Sequence, residues 1–272
     1  MTTLDLFAMA QENTEHLASE CAKHTGLVVE LAESVARDGR LSVTMTLDRL
    51  RAFLEDGRYL SRWEECWRDA AGDETKATQL MSERQGGDWY GPRARFEGSF
   101  LHGKNFRYGA LYLSGRALMG DKYGPFCTVF SGDAAASWRL IAWLPENSLA
   151  RYVPDESTLD LERLRREVGA HGSRHHVAAI KHAADMATFS RDAWSTMLCH
   201  GDRFIEGIVA EDLSPAMIER MLADAAVWET LKAAARAVLQ GDDVTPETEA
   251  DASRFTDLRA ALAKWNLREE MV

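Results

Sequence analysis

Apolar residues recur near helical spacing over residues 4–37, at Leu4, Phe7, Leu17, Cys21, Val28, Leu31 and Val35, with no proline to interrupt them. This predicts a helical N-terminus, with Gly26 a place where it divides. The turn signal Asp38-Gly39-Arg40 follows, and "LSVTMTL" (41–47) then alternates and is rich in β-branched residues, which predicts a strand. "DRLRAFLEDG" reads as a short helix between a candidate N-cap, Asp48, and a candidate C-cap, Gly57. The first half of "RYLSRWEECW" reads as strand. Residues 70–105 are polar and glycine-rich and read mainly as loop, with a short helix over 75–84. A loop of that length inside a compact domain is usually functional. Further strands are predicted at 107–113, 124–130 and 137–145. From Asp155 the pattern turns helical, in "DESTLDLERLRREVGAHG" and "RHHVAAIKHAADMATFSRDAWSTML". One late apolar run, "FIEGIV" (204–209), reads as a strand. The segments after it open with Ser214-Pro215 and Thr245-Pro246, each a helix start of Ser or Thr followed by Pro. Helix, clustered short strands, then helices with one late strand make an α+β fold, divided as an N-terminal helical segment (1–39), a core (40–235) and a C-terminal helix (236–272).

Composition narrows the function classes. The chain has 272 residues, 46% of them hydrophobic, enough for a sizeable core. Its net charge of −11 repels nucleic-acid backbones and anionic membranes on average. Cys21, Cys66, Cys127 and Cys199 are widely spaced, which is neither a disulfide framework nor a zinc pattern. The first twenty residues lack a basic stretch followed by an apolar one, and no run approaches the length of a membrane span. The expected location is the cytoplasm, or outside the cell without a Sec signal peptide, with no membrane partner. There is no GxGxxG after a strand and no GxxxxGK[ST], so neither a dinucleotide fold of the Rossmann type nor a P-loop is indicated.

The chemistry centres on one acid. Glu206 interrupts the apolar run 204–209. On a strand it shares a face with Phe204 and Ile208, while Ile205 and Gly207 face the other way. Four segments here resemble, in the same order, those of one uncharacterised bacterial family of domains of unknown function. "TLDRLRAFLEDGRYLSRWE" is similar to its His-Pro-Asp-Arg-Leu helix followed by Asp-Gly-Arg-Tyr. "RARFEGSFLHGKNFRYGALYL" is similar to its Phe-Gly-Gly and Lys-Tyr-Gly-Ala-Leu-Asn-Leu segment. "YGPFCTVF" is similar to its Phe-Gly-Ser-Cys-His strand, and "FIEGIVAEDLSPAMIERMLAD" to its Tyr-Ile-Glu-Ala-Gln-Val-His-Gly strand and the acidic helix after it. The resemblance runs over about residues 40–235. By analogy of layout it implies an ADP-ribosyltransferase-like core that consumes NAD. It further implies that Glu206 is the catalytic acid, hydrogen-bonding the nicotinamide ribose and stabilising positive charge as nicotinamide leaves. Arg49 or Thr46 would hold NAD on the first strand, and Tyr108 would pack on the nicotinamide side. Arg58, Arg62, Arg93 and Arg95 are guanidiniums suited to a pyrophosphate. The acceptor, a protein or a nucleic acid, is not specified, and a bacterial toxin or effector is the implied role.

The chain departs from that pattern at three places. Thr44, Thr46 and Thr128 stand where the family has histidines, and Phe204 excludes a Glu-x-Glu pair, so arginine is not the expected acceptor. The competing reading is a degenerate member that keeps the fold as a protein-interaction module. Other constellations read as ordinary structure. His171, His175, His176 and His182 gather on one stretch, but Gly172 and Ser173 weaken the helix a metal pair would need and no HExxH follows, so no metal is expected. Trp89 and Tyr90 lie in the glycine-rich loop, placed either to anchor it or to stack on a base. "HGD" (200–202) is too short to make a catalytic triad.

Overall fold

The N-terminal apolar pattern folds as three helices. In the structure, a computed structural model describing residues 3–85, 89–115, 117–120, 122–155, 158–199 and 204–272, Asp5 Oδ1 accepts the N–H groups of Phe7 and Ala8 at 3.0 Å and starts α1 (Leu6–Glu12). α2 (Thr14–Cys21) follows after Asn13, and α3 (Leu27–Asp38) begins after Gly26. Strand β1 (Arg40–Met45) leads into α4 (Leu47–Asp56). The cap of α4 is Thr46 and not Asp48: the Thr46 hydroxyl accepts the Arg49 N–H, while Asp48 lies inside the first turn. Gly57 closes α4 at φ 70°, a left-handed conformation that costs glycine little. No strand forms in the first half of 58–67. Ser61 and Glu64 instead make a reciprocal capping box that starts α5 (Arg62–Asp69). In 70–105 the short helix expected over 75–84 is present as α6 (Glu74–Gln85), and a second helix, α7 (Tyr90–Gly98), stands where loop was expected. Ala77 and Met81 of α6 bury against Cys66 and Ala70, and this packing outweighs the local glycine content.

The chain continues through β2 (Arg107–Tyr112), β3 (Phe126–Phe130), α8 (Gly132–Ala136), β4 (Ile141–Leu144), α9 (Ser148–Tyr152), α10 (Leu161–Glu167), β5 (Gly169–Ala170), α11 (Arg174–His182) and α12 (Trp194–Leu198). It ends with β6 (Glu206–Val209), β7 (Ile218–Ala223), α13 (Ala225–Gln240), α14 (Pro246–Lys264) and β8 (Glu269–Met271). The segment 214–223, expected to open a helix, is a short 3-10 turn followed by β7. Its Ile218, Met221 and Ala223 pair with or pack behind β3. The fold is therefore a mixture of helices and one open, mixed sheet of eight strands, in the order β5-β4-β6-β2-β1-β3-β7-β8. Neighbours run antiparallel except β7 and β8. No described helix is long and apolar enough to cross a membrane.

Strand alternation gives the sheet two different faces. One presents Leu41, Val43, Met45, Leu111, Trp143 and Val209 and packs under α3, α4, α11, α13 and α14 in the larger core. α2 and α3 before β1 and the helices after β7 thus share one core with the strands. The other face is covered at the β4–β6 end by α1, α7, α9 and α10, through Leu6, Phe7, Phe96, Leu149, Tyr152 and Leu164. Beside these helices, at the centre of that second face, a cavity remains.

Candidate functional site

Register places the acid. Glu206 pairs with Ala110 of β2 on one side and with Leu144 of β4 on the other, so it points from the middle of the sheet onto the second face. Phe204 and Ile208 lie on the same side, and Ile205 is in the opposite core, as the alternation predicts. Glu206 is 3% exposed. It lines a cavity of about 180 Å³ with Thr44, Arg93, Tyr108, Tyr123 and Phe204, while Leu118, Asn147 and Leu149 complete the wall. Two connections and a bond from β1 build that wall. The segment between β2 and β3 brings Leu118 and Tyr123, with Tyr123 edge-on to Phe204 at 5.8 Å. The Thr44 hydroxyl donates to the Leu118 carbonyl at 2.5 Å and ties that segment to β1. Asn147 caps α9 by accepting the N–H groups of Leu149 and Ala150.

Burial sets the protonation of Glu206. Removal from water raises its pKa from 4.5 to about 7, opposed by Ser148 and then by the charge of Arg93. Its Oε2 accepts the Ser148 N–H at 2.8 Å. A carboxylate has about four acceptor positions, so most of its capacity is left for a ligand hydroxyl or a developing cation. Arg93 reaches the cavity from α7. One terminal nitrogen donates to Glu97 at 2.9 Å, the guanidinium lies 4.5 Å over the Tyr108 ring, and its buried Nε has no hydrogen-bond partner. The Tyr108 hydroxyl donates to the same Glu97 at 3.0 Å. Burial is the main cause that raises the pKa of both Glu97 and Tyr108, so Tyr108 stays a neutral phenol.

Two more arginines lie beside Arg93, outside the cavity wall. Arg49 Nε and an Arg62 terminal nitrogen share one acid, Glu65, at 2.9 and 2.8 Å, and Arg49 rests 5.0 Å over the Tyr59 ring. Burial, then the charges of Arg49 and Arg93, push the pKa of Arg62 down. Three guanidiniums therefore stand against two acids, Glu65 and Glu97, while Glu206 is protonated, and the charges balance once Glu206 ionises, in a chain whose net charge is −11. Clustered guanidiniums offer hydrogen-bond donors matched to an anion.

Glu206 and Tyr108, singled out from sequence, meet in one cavity, and Arg49 lies near it through Arg93. Thr46 is spent as the cap of α4; it is Thr44, two residues earlier, that lines the cavity. Arg58 lies elsewhere, paired with Glu64 at 2.8 Å and Asp212 at 3.4 Å. Arg95 is also absent from the lining, and "HGD" (200–202) lies outside the described residues. Trp89 precedes α7, with Tyr90 in that helix packing against the buried cluster of Cys66, Ala70, Ala77 and Met81. Sequence reasoning missed Asn147, Leu118 and Tyr123, whose placement depends on how two connections fold back over the sheet. Among the described residues no three histidine, cysteine or acidic side chains gather as a metal would require. Compared with known proteins, the chain matches no family model and no curated relative.

Proposed function

We propose that the chain has an ADP-ribosyltransferase-like core and transfers ADP-ribose from NAD to an acceptor, releasing nicotinamide. The carrying observation is the Glu206 carboxyl, held in an aromatic-lined cavity beside three guanidiniums. At about 180 Å³ the cavity is smaller than the roughly 300–1,000 Å³ clefts that enclose whole small ligands. It would take only the reacting nicotinamide-ribose end. Tyr108, Tyr123 and Phe204 offer ring surfaces to nicotinamide, and the pyrophosphate would lie toward Arg93, Arg49 and Arg62.

In the reaction the bond from the ribose C1′ to the nicotinamide nitrogen breaks. Its electron pair leaves with nicotinamide, which departs neutral, and the ribose becomes oxocarbenium-like. Ionised Glu206 accepts a hydrogen bond from a ribose hydroxyl and opposes the developing charge. The acceptor nucleophile then bonds to C1′ and gives its proton to solvent.

The test is nicotinamide release from NAD by the whole chain. Wild type is expected to release it, and Glu206→Gln to lose about 100- to 1,000-fold, the range for removing one transition-state electrostatic partner. No release by either protein, or equal release by both, removes the reading. One observation favours the alternative of a binding module on the same fold: the Ser148 N–H contact gives Glu206 an anchoring role that needs no catalysis. In that case Glu206→Gln keeps the fold and neither protein turns over NAD.

A further inference from the structure

Helix α5 divides two sites. Arg62 and Glu65 face the guanidinium cluster, whereas Trp63 and Trp67, one turn apart, face a separate groove of about 540 Å³. That volume lies within the range of roughly 300–1,000 Å³ for small-molecule clefts. We propose that this groove binds a neutral carbohydrate on a two-tryptophan platform.

The platform is pre-ordered. The two indoles lie 6.2 Å apart, tilted by 33°. Trp67 is 41% exposed, yet its ring leans on Gly72, where an added Cβ would sit 3.8 Å from the indole. The turn that brings Gly72 there has positive φ at both Ala71 (53°) and Gly72 (83°). Alanine rarely adopts that conformation, so packing must enforce it. Lys104, in the 3-10 turn before β2, lies 4.1 Å over the Trp63 ring. Rigid aromatic surface held in water at this cost suits a ligand with flat apolar faces.

Charge selects the ligand class. The cations around the groove are paired: Arg58 with Glu64 at 2.8 Å, Arg68 with Asp56 at 2.7 Å, and Lys104 with Glu74 at 2.9 Å. Glu64 is also fixed from below by buried Arg107 at 2.7 Å. An anionic polymer would have to break these pairs, and the chain's net charge of −11 opposes its approach. Neutral hydroxyls can bridge such pairs without separating them. Asn105 also lines the groove. A sugar offers C–H faces to the indoles and hydroxyls to this rim.

The experiment is saturation-transfer NMR on the whole chain with cellobiose, maltose and N,N′-diacetylchitobiose. At least one is expected to receive saturation, with its affinity falling tenfold or more in Trp67→Ala. That substitution trims an exposed ring, and α5 keeps its capping box. Lys104→Met should alter the affinity by less, because Lys104 only covers Trp63. The proposal is overturned if none of the three sugars receives saturation or if transfer persists unchanged in Trp67→Ala. Trp67-dependent binding of a ten-residue oligothymidylate in place of the sugars overturns it equally. None of these outcomes depends on turnover of NAD.

Discussion

A carboxyl buried in an aromatic cavity is a different group on either side of neutral pH. Glu206, with its pKa raised to about 7, is mostly protonated at pH 6 and ionised at pH 8. Only the ionised form can oppose a ribosyl cation, so nicotinamide release should rise about tenfold per unit below pH 7 and level off above it. Arg93→Met removes a charge that lowers this pKa and should move the midpoint upward. A rate profile flat from pH 5.5 to 8.5 would separate Glu206 from the chemistry. Stability carries the opposite sign. A carboxyl whose folded pKa lies above its unfolded value stabilises the fold below the unfolded value, and that contribution is lost as pH rises through the folded one. The rise from 4.5 to about 7 corresponds to at most about 3 kcal/mol, lost between pH 4.5 and 7. Glu206→Gln keeps an oxygen for the Ser148 N–H and has no charge to bury. It should therefore be more stable than wild type by about 1–3 kcal/mol at pH 8.5 and no more stable at pH 4.5, as measured by urea denaturation. Glu206 was legible in the sequence because a lone acid sat in an alternating apolar run. Asn147 and Tyr123 were not, since nothing local records that their connections close over it.

At the scale of elements, the sequence misleads where packing overrides local preference. Residues 218–223 carry spacing that suits a helix, and a serine-proline start precedes them. The open edge of β3 nevertheless draws them into β7, because a paired strand satisfies backbone groups on both. In 70–105, the short helix expected over 75–84 forms as α6, held by the small cluster around Cys66, whereas glycines and charges hid α7, whose Phe96 buries on the second face of the sheet. Conversely, Gly57 closed α4 where expected, since its signal is local. The capping box of α5 allows a quantitative test. Ser61→Ala removes one cap and should cost about 1 kcal/mol. Glu64 does more. It accepts the Ser61 N–H at 2.7 Å and also meets the guanidinium of Arg107, whose side chain is 1% exposed. Glu64→Ala leaves a buried cation short of its partner and should cost about 3–5 kcal/mol. Equal losses in urea denaturation would mean that Glu64 acts only as a cap. Because Arg107 also donates to the Tyr59 and Asn105 carbonyls, this loss should loosen the connection running from α4 to β2.

Across the whole molecule, two titrations oppose each other. On the face away from the cavity, α11 packs on α3, and the short turn before α11 sets His171 against Trp143, whose indole N–H donates to His171 Nδ1 at 3.4 Å. His175 stacks on His176 at 3.9 Å, and its buried Nδ1 has no partner. Burial first, then Arg174 and Arg40, push His171 down from 6.5 to about 4. Burial first, then His176 and Arg174, do the same for His175. A histidine with a depressed folded pKa is held neutral, so its contribution is complete above 6.5 and lost as pH falls from 6.5 toward 4. Allowing for partial solvent screening, each should contribute about 1–2 kcal/mol. Glu206 costs the fold stability as pH rises from 4.5 to 7 and the histidines cost it stability as pH falls from 6.5 to 4; where the two imidazoles together outweigh the one carboxyl, stability peaks at about pH 6.5. The acid limb belongs to the histidines, and a double variant His171→Asn, His175→Gln isolates it. Its urea midpoint should fall less than that of wild type between pH 6.5 and 4.5, while the Glu206 penalty, which builds between pH 4.5 and 7 and is constant above, persists. If wild type and the double variant lose stability in parallel on the acid side, the loss comes from carboxylates in the surface ion pairs, and neither imidazole is held neutral by the fold.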